Sequence, residues 1–216
     1  MTNIIDSRSP WANKPDRQTE RENKREAVLR TAAELFNEKG FHATSLDEVA
    51  ERLNVSKPTV YYYVKNKDEI LFECVRIGLE MLEQASNEAI QKGGDSKENL
   101  IAVMRKYAEI VTMDFGMCLI RVGEDPLPLE SRRKLRRLKS SIDLKFRSLI
   151  QQGIADGTLM PCDPKIAAFT IAGALSWIAR WYDPKGPLIV EDITSQCVDL
   201  LMNGLNRRSS SRSGMN

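Results

Sequence analysis

Residues 45–65, SLDEVAERLNVSKPTVYYYVK, constrain the fold more than any other stretch, because they write two short helices and the turn between them in consecutive residues. Ser45 and Glu48 have the S-x-x-E spacing of a capping box, in which the hydroxyl takes a free amide of the first turn and the carboxylate reaches back to the cap. Leu46, Val49, Ala50 and Leu53 supply the apolar stripe of the first helix. Asn54, Val55 and Ser56 make the turn: Asn54 tolerates a left-handed backbone and Ser56 stands where it can cap the next helix. Pro58 is tolerated because first-turn amides have no partner to lose. In the second helix Val60 and Val64 face inward, which turns Lys57, Thr59, Tyr61, Tyr62 and Lys65 to solvent.

That layout is the one a helix-turn-helix uses to read DNA. A major groove admits one helix, and phosphates are held by lysines, hydroxyls and helix N-termini. The candidate DNA contacts are Thr44, Ser45, Ser56, Lys57, Pro58, Thr59, Tyr61, Tyr62, Lys65 and Lys67. The competing reading places the three tyrosines in the core and rim of a small bundle, with no partner. Five basic residues upstream, Lys14, Arg17, Arg21, Lys24 and Arg25, can approach phosphate or a minor groove, or serve as a solvated helix start.

From Ala27 to Leu71 the chain resembles the N-terminal domain of the TetR family of bacterial regulators. The resemblance is carried by a first helix ending in EKGF, then ATSLDEVAERL, then VSKPTVYYYVKNKDEIL. Pro58 stands where many members have glycine, and Val64 where many have phenylalanine. The resemblance implies an all-α fold: a three-helix DNA-binding domain followed by a helical ligand-binding domain. It also implies that the last two helices of each subunit build a four-helix dimer interface, supplying the two-fold axis of a palindromic operator.

Composition fits a regulator and excludes several alternatives. The chain has 216 residues and a net charge of +2, so basic character is local and the whole molecule is not a polyanion binder. Cys74, Cys118, Cys162 and Cys197 are scattered with no C-x-x-C pair, which argues against a zinc site or a disulfide framework and predicts four small buried hydrophobes. No apolar run reaches membrane length and the polar start is unlike a signal peptide, so a cytoplasmic protein without a membrane partner is expected. His42 is the single histidine and reads as a loop residue; no catalytic motif occurs and no cofactor is expected. Enzyme function is therefore disfavoured.

Elsewhere the pattern predicts helices. A polar arm is expected over 1–20, the helix-turn-helix domain over 21–67, a ligand-binding and dimerisation domain over 68–206, and a disordered tail over 207–216. The first helix is predicted over Arg21 to Lys39 with Gly40 as its stop. A long helix follows, with Asn66 and Glu69 as its start, a stripe of Ile70, Cys74, Ile77, Met81, Ala85 and Ala89, and an end at Gly93-Gly94. It links the DNA-binding unit to everything after it. Leu100, Val103, Met104, Tyr107 and Val111 mark another helix, and a short helix and loop fit residues 114–131. A charged helix runs from about Leu129 to Gln152, broken by Gly153 and Gly157. Asp163-Pro164 caps a segment that is apolar nearly all round, and Val190 to Leu205 closes the chain.

The basic run RRKLRRLK at 132–139 and the segment WIARWYDPKGPL at 177–188 carry the remaining signal. Arg180 between Trp177 and Trp181 calls for a carboxylate, an aromatic face or a ligand anion. With DP-x-x-AA ahead of it, this C-terminal pattern resembles TetR-family regulators of fatty-acid and sterol catabolism that answer to acyl-CoA thioesters. The resemblance implies a small-molecule effector of that class, with candidate contacts Met104, Tyr107, Arg121, Arg133, Arg137, Phe146, Trp177, Arg180 and Trp181. The alternatives are an efflux regulator answering to hydrophobic drugs or metabolites, and a protein-interaction module built on the same helices.

Overall fold

The computed structural model describes residues 17–204, which form α-helices joined by short turns, with no strand among the described residues. In chain order these are α1 (Arg17–Lys39), α2 (Leu46–Arg52), α3 (Lys57–Tyr63), α4 (Lys67–Gln91), α5 (Ser96–Ile110), α6 (Asp114–Arg121), α7 (Leu129–Ala155), α8 (Pro164–Trp181) and α9 (Val190–Asn203). The all-α expectation holds. Most of the expected arm, including Lys14, the expected tail and Leu205 lie outside the described residues. Helix α1 starts earlier than the apolar period suggests, because its polar first turns find partners of their own: Gln18 donates to Glu22 at 2.7 Å.

Helices α1 to α3 close around Val28, Ala32, Leu35, Phe36, Leu46, Val49, Ala50, Val60 and Val64, all buried. The capping box is formed, with Glu48 N–H on the Ser45 hydroxyl at 3.2 Å and Ser45 N–H on the Glu48 carboxylate at 2.8 Å. Asn54 turns the chain at φ 53°, the left-handed value that its short polar side chain permits. Ser56 sits at the cap position of α3 but makes no cap bond; its hydroxyl lies 2.8 Å from that of Thr59 instead.

Asn66 caps the 25-residue helix α4, which leaves the N-terminal unit and packs against α5, α6 and α7. Its buried stripe is Ile70, Leu71, Cys74, Val75, Gly78, Leu79, Leu82, Ser86 and Ala89, rotated from the expected one, so Ile77, Met81 and Ala85 are only half-buried. The cause is a two-sided contact that a single stripe does not describe. Helix α7 runs through Gly153, which is chosen for space: a Cβ there would lie 2.6 Å from Leu159 Cδ1. The chain turns after Asp156 instead, at Gly157 with φ +77°. Of the cysteines, Cys74 and Cys118 are buried as expected, Cys197 is half-buried, and Cys162 is exposed in the turn before α8.

The short helix α6 sits among α1, α4 and α8. Two glycines set its depth. A Cβ on Gly78 would meet Phe115 O at 2.8 Å, and one on Gly116 would meet Ile110 O at 1.9 Å. Backbone cannot yield as a side chain end can, so Gly116→Ala should destabilise the fold by at least about 2 kcal/mol, read as a fall in the urea midpoint at unchanged slope.

Helices α1 and α4 are tied by charge. Arg25 donates to Glu73 at 3.1 Å, and Arg76 donates to the same carboxylate at 3.0 Å. Burial pushes the Glu73 carboxyl up, yet the two guanidiniums outweigh it and hold it below the usual carboxylate range. A folded-state pKa below the unfolded one means stability that is present above the unfolded value and lost as pH falls through the folded one. The Tm advantage of the wild type over Glu73→Gln should therefore shrink as pH is lowered from about 6 to about 3.

Candidate nucleic-acid interface and ligand cavity

The capped turn and the buried Val60 and Val64 hold α3 with its other face outward. Tyr61 and Tyr62 are 47% and 66% exposed, large aromatic areas for solvent to cover. Lys57, Pro58 and Lys65 are exposed beside them and Thr59 is half-exposed. Lys57 reaches Asp47 of α2 at 2.7 Å, a surface pair worth little and easily exchanged for another anion. From α1 the Arg21 guanidinium lies 5.6 Å over the Tyr62 ring, extending the cationic and aromatic surface beyond α3. Ser45 and Ser56 are exposed at the starts of α2 and α3. His42 is an exposed loop residue, edge-on to Phe41.

Two expected contacts are turned inward. The Thr44 hydroxyl is buried and donates to Gly40 O at 2.9 Å and Leu35 O at 3.3 Å, closing the end of α1. The Lys67 ammonium donates to Phe41 O at 2.8 Å and Thr44 O at 3.0 Å and stands 4.5 Å over the Phe41 ring. Both side chains hold the loop between α1 and α2, a role their position next to exposed residues conceals in sequence. Lys67→Met should accordingly lower thermal stability by about 1–3 kcal/mol, seen as an earlier melt by circular dichroism, since the loop carbonyls lose a charged donor.

In the second unit a partly open cavity of about 280 Å³ is lined by α4, α5, α6, α7 and α8. Its wall is largely apolar: Leu82, Leu119, Ile120, Ile142, Phe146, Ala168, Phe169 and Ala172, with Tyr107, Ser176, Lys139 and Asp143 as the polar members. Of the expected ligand contacts, Tyr107 and Phe146 line it, edge-on to each other at 5.9 Å. Met104 is buried in the core without being among the lining residues. Arg133 and Arg137 point to solvent, as charge repulsion along one helix favours. The basic residue at the cavity is Lys139, paired to Glu124 at 2.7 Å. The missed contacts had a faint signal: Ala168, Ala172 and Ser176 recur every fourth residue, a strip of small side chains that leaves room beside α8.

Trp177 and Trp181 are corrected to the outer side of α8. At 100° per residue Trp177 lies opposite Ala168, and the two rings are 64% and 45% exposed. With Ile166, Gly173 and Ala174 they form an uncovered stripe along α8, next to exposed Phe169. Ile171, Leu175 and Ile178 are buried in the subunit's own core.

Arg121 and Arg180 are also corrected: they join helices. The Arg121 Nε donates to Ala179 O at 2.6 Å, its Nη2 to Tyr182 O at 2.9 Å, and its Nη1 to Asn37 O of α1 at 3.5 Å. Arg180 returns a bond from α8 to Ile120 O of α6 at 2.8 Å. The carbonyls at the ends of α1 and α8 carry partial negative charge, which suits a guanidinium. Asn37 donates in turn to Asp114 O at the start of α6 at 2.9 Å. Leu119 and Ile120 thus line the cavity two residues and one residue before Arg121, whose clasp touches the N-terminal unit. A wider cleft of about 660 Å³ lies between α1, α4 and α6, but its rim charges are spent on pairs such as Arg30 with Glu26 at 2.8 Å.

No described helix is long and apolar enough to cross a membrane. Residues 28–74 match the family described as bacterial regulatory proteins, tetR family, and residues 93–205 match the tetracyclin repressor-like C-terminal domain. A transcriptional regulator of the TetR/AcrR family from Thermobifida fusca YX-ER1 is similar in structure, with 32% identity and a TM-score of 0.67 over 86% of this chain and 100% of that one. AibR in complex with isovaleryl coenzyme A and operator DNA is similar at 27% identity and a TM-score of 0.74, covering 83% of this chain and 98% of that one. The HTH-type transcriptional repressor KstR2 of Mycolicibacterium smegmatis is 24% identical over 202 residues, covering 89% of this chain and 96% of that one.

Proposed function

The chain belongs to the TetR family of bacterial regulators, and on that premise we propose that it is a homodimeric, ligand-controlled repressor released from a palindromic operator by an acyl-CoA thioester. The observation that carries the reading is that α1, which packs on α3 with its uncovered tyrosine and lysine face, is bonded by Arg121 to the helices that line a largely apolar cavity. Tyr61, Tyr62, Lys57 and Lys65 with Arg21 dock on the duplex. The α8 stripe around Gly173 and Trp177 meets its copy in a second subunit, where Gly173, with open space at its Cβ position, lets the helices approach. The acyl tail occupies the cavity, and the negative head stays at the mouth near Lys139 and the basic face of α7. That AibR binds isovaleryl coenzyme A and operator DNA supports this class of effector.

An effector changes operator affinity only by binding two states unequally. Filling the cavity pushes on Leu119 and Ile120, hence on α6, and α6 is packed on α1 and α4. The pose of α3 shifts with them.

Three measurements test the reading. Tyr61→Ala and Lys65→Ala should each weaken binding to a palindromic operator about tenfold without altering the melt, and Lys65→Ala should lower the salt slope by about one. Unchanged affinity in both contradicts the docking face. Trp177→Glu should convert dimer to monomer in sedimentation, because it buries an unpaired charge. Octanoyl-CoA should release operator at concentrations where octanoate and free CoA do not, since tail and head each supply part of the binding free energy. Glu124 already neutralises Lys139, which favours an uncharged effector as the second reading. Release by free hydrophobic compounds and by no thioester would decide for an efflux-type regulator.

A further inference from the structure

The cavity wall is apolar except at a few points, and one of them is a pair of hydroxyls that have no other side-chain partner among the described residues. Tyr107 of α5 and Ser176 of α8 lie 2.8 Å apart, oxygen to oxygen, and both line the cavity. A pair of hydroxyls forms one hydrogen bond between them and keeps one O–H proton over, whichever of the two donates. Ser176 does not spend that proton on the helix, since its only bond among the described residues is to Tyr107, whereas Ser86 and Ser140 both bond back to the carbonyl four residues earlier. Tyr107 is buried, and its phenol is pushed up by that burial, so it keeps its proton across the working pH range. The pair is part-buried at the cavity wall, so a ligand that displaces water there leaves the spare O–H unpaired unless it brings an acceptor of its own.

We infer that the Tyr107–Ser176 pair is the specificity element of the cavity, and that it reads a carbonyl oxygen on the effector, the thioester carbonyl in an acyl-CoA. Resting on the acyl-CoA reading for that last clause, the assignment also follows from register. Helices α7 and α8 are joined by a short turn and run antiparallel, with Arg147 5.1 Å over the Phe169 ring. Counting eight residues back from Arg147 to Lys139 and eight forward from Phe169 reaches Trp177, which brings Lys139 to within one residue of the level of Ser176. The Lys139 ammonium and the hydroxyl pair therefore stand at the same end of the cavity, and Phe146, Phe169 and Ala168 lie towards the other. A thioester places its carbonyl at the junction of charged head and apolar tail, the position where this pair waits. A hydrocarbon tail alone leaves the proton unpaired and forfeits the bond.

The test uses two probes that differ by the carbonyl alone: octanoyl-CoA and S-octyl-CoA, its thioether. Binding is measured by calorimetry on the full-length protein. Wild type should prefer the thioester by about tenfold, the worth of one buried hydrogen bond. Tyr107→Phe with Ser176→Ala should reduce that preference to near one while still binding S-octyl-CoA, which also shows that the cavity is intact. Equal affinity of wild type for the two probes, or an undiminished preference in the double variant, overturns the inference. A second pair, 2-nonanone and nonane competing for a fluorescent apolar probe, separates the two claims. If neither CoA compound binds but the ketone is preferred through Tyr107 and Ser176, the acyl-CoA reading fails and the carbonyl-reading pair stands. If the ketone shows no such preference either, the pair has no such role.

Discussion

Everything else in this fold depends on how deeply α6 is seated. Its backbone approaches α4 at Gly78 and the end of α5 at Gly116 so closely that neither position has room for a methyl group. Once seated, α6 ends on Arg121, whose guanidinium fastens to carbonyls of α8 and α1, while Arg180 returns a bond from α8. The same helix supplies Leu119 and Ile120 to the cavity wall. Packed interiors are stiff and do not deform continuously, so a change of volume on one side of α6 is passed to its other neighbours. A short helix with no long apolar run thereby touches both the N-terminal unit and the cavity wall.

The division of labour among charged residues follows from burial. Lys67 and Arg121, both with the look of ligand or phosphate contacts, are spent on backbone carbonyls, where an unpaired acceptor would be expensive. Arg133 and Arg137 stay in water. The two surfaces proposed for function are modest in charge and rich in aromatic area: Tyr61, Tyr62 and Arg21 at one end, Tyr107, Phe146 and Lys139 at the other. That economy suits a protein with a net charge of +2, which must find a particular site on DNA without sticking to all of it.

Local signals were legible in the sequence, and long-range ones were not. The capping box at Ser45 and Glu48, the left-handed Asn54 and the inward Val60 and Val64 are set by neighbours a few residues away, and each is found as the pattern predicts. Helix limits were close, except that α1 begins at Arg17 and that α7 continues through Gly153, where a side chain would collide with Leu159. The uncovered side of α3 was readable because Val60 within it and Val64 at its end are buried, which leaves the other side to solvent. Ligand contacts were harder: which face of α8 looks inward depends on α5, α6 and α7, and an all-apolar helix carries no period to mark it. Trp177 and Trp181 drew attention by size and proved to be on the uncovered face, whereas Ala168, Ala172 and Ser176 make the cavity by being small.

The central claim is that cavity and α3 share one conformational equilibrium, and reciprocity tests it directly. Octanoyl-CoA affinity is measured for the free protein and for its operator complex, and operator affinity is measured with and without saturating octanoyl-CoA, all at one salt concentration. Coupling through α6 requires the two ratios to be equal and different from one, with thioester binding weaker on the operator complex. Equal thioester affinity for free and operator-bound protein would contradict the account, because occupancy of the cavity would then have no purchase on the DNA-binding face.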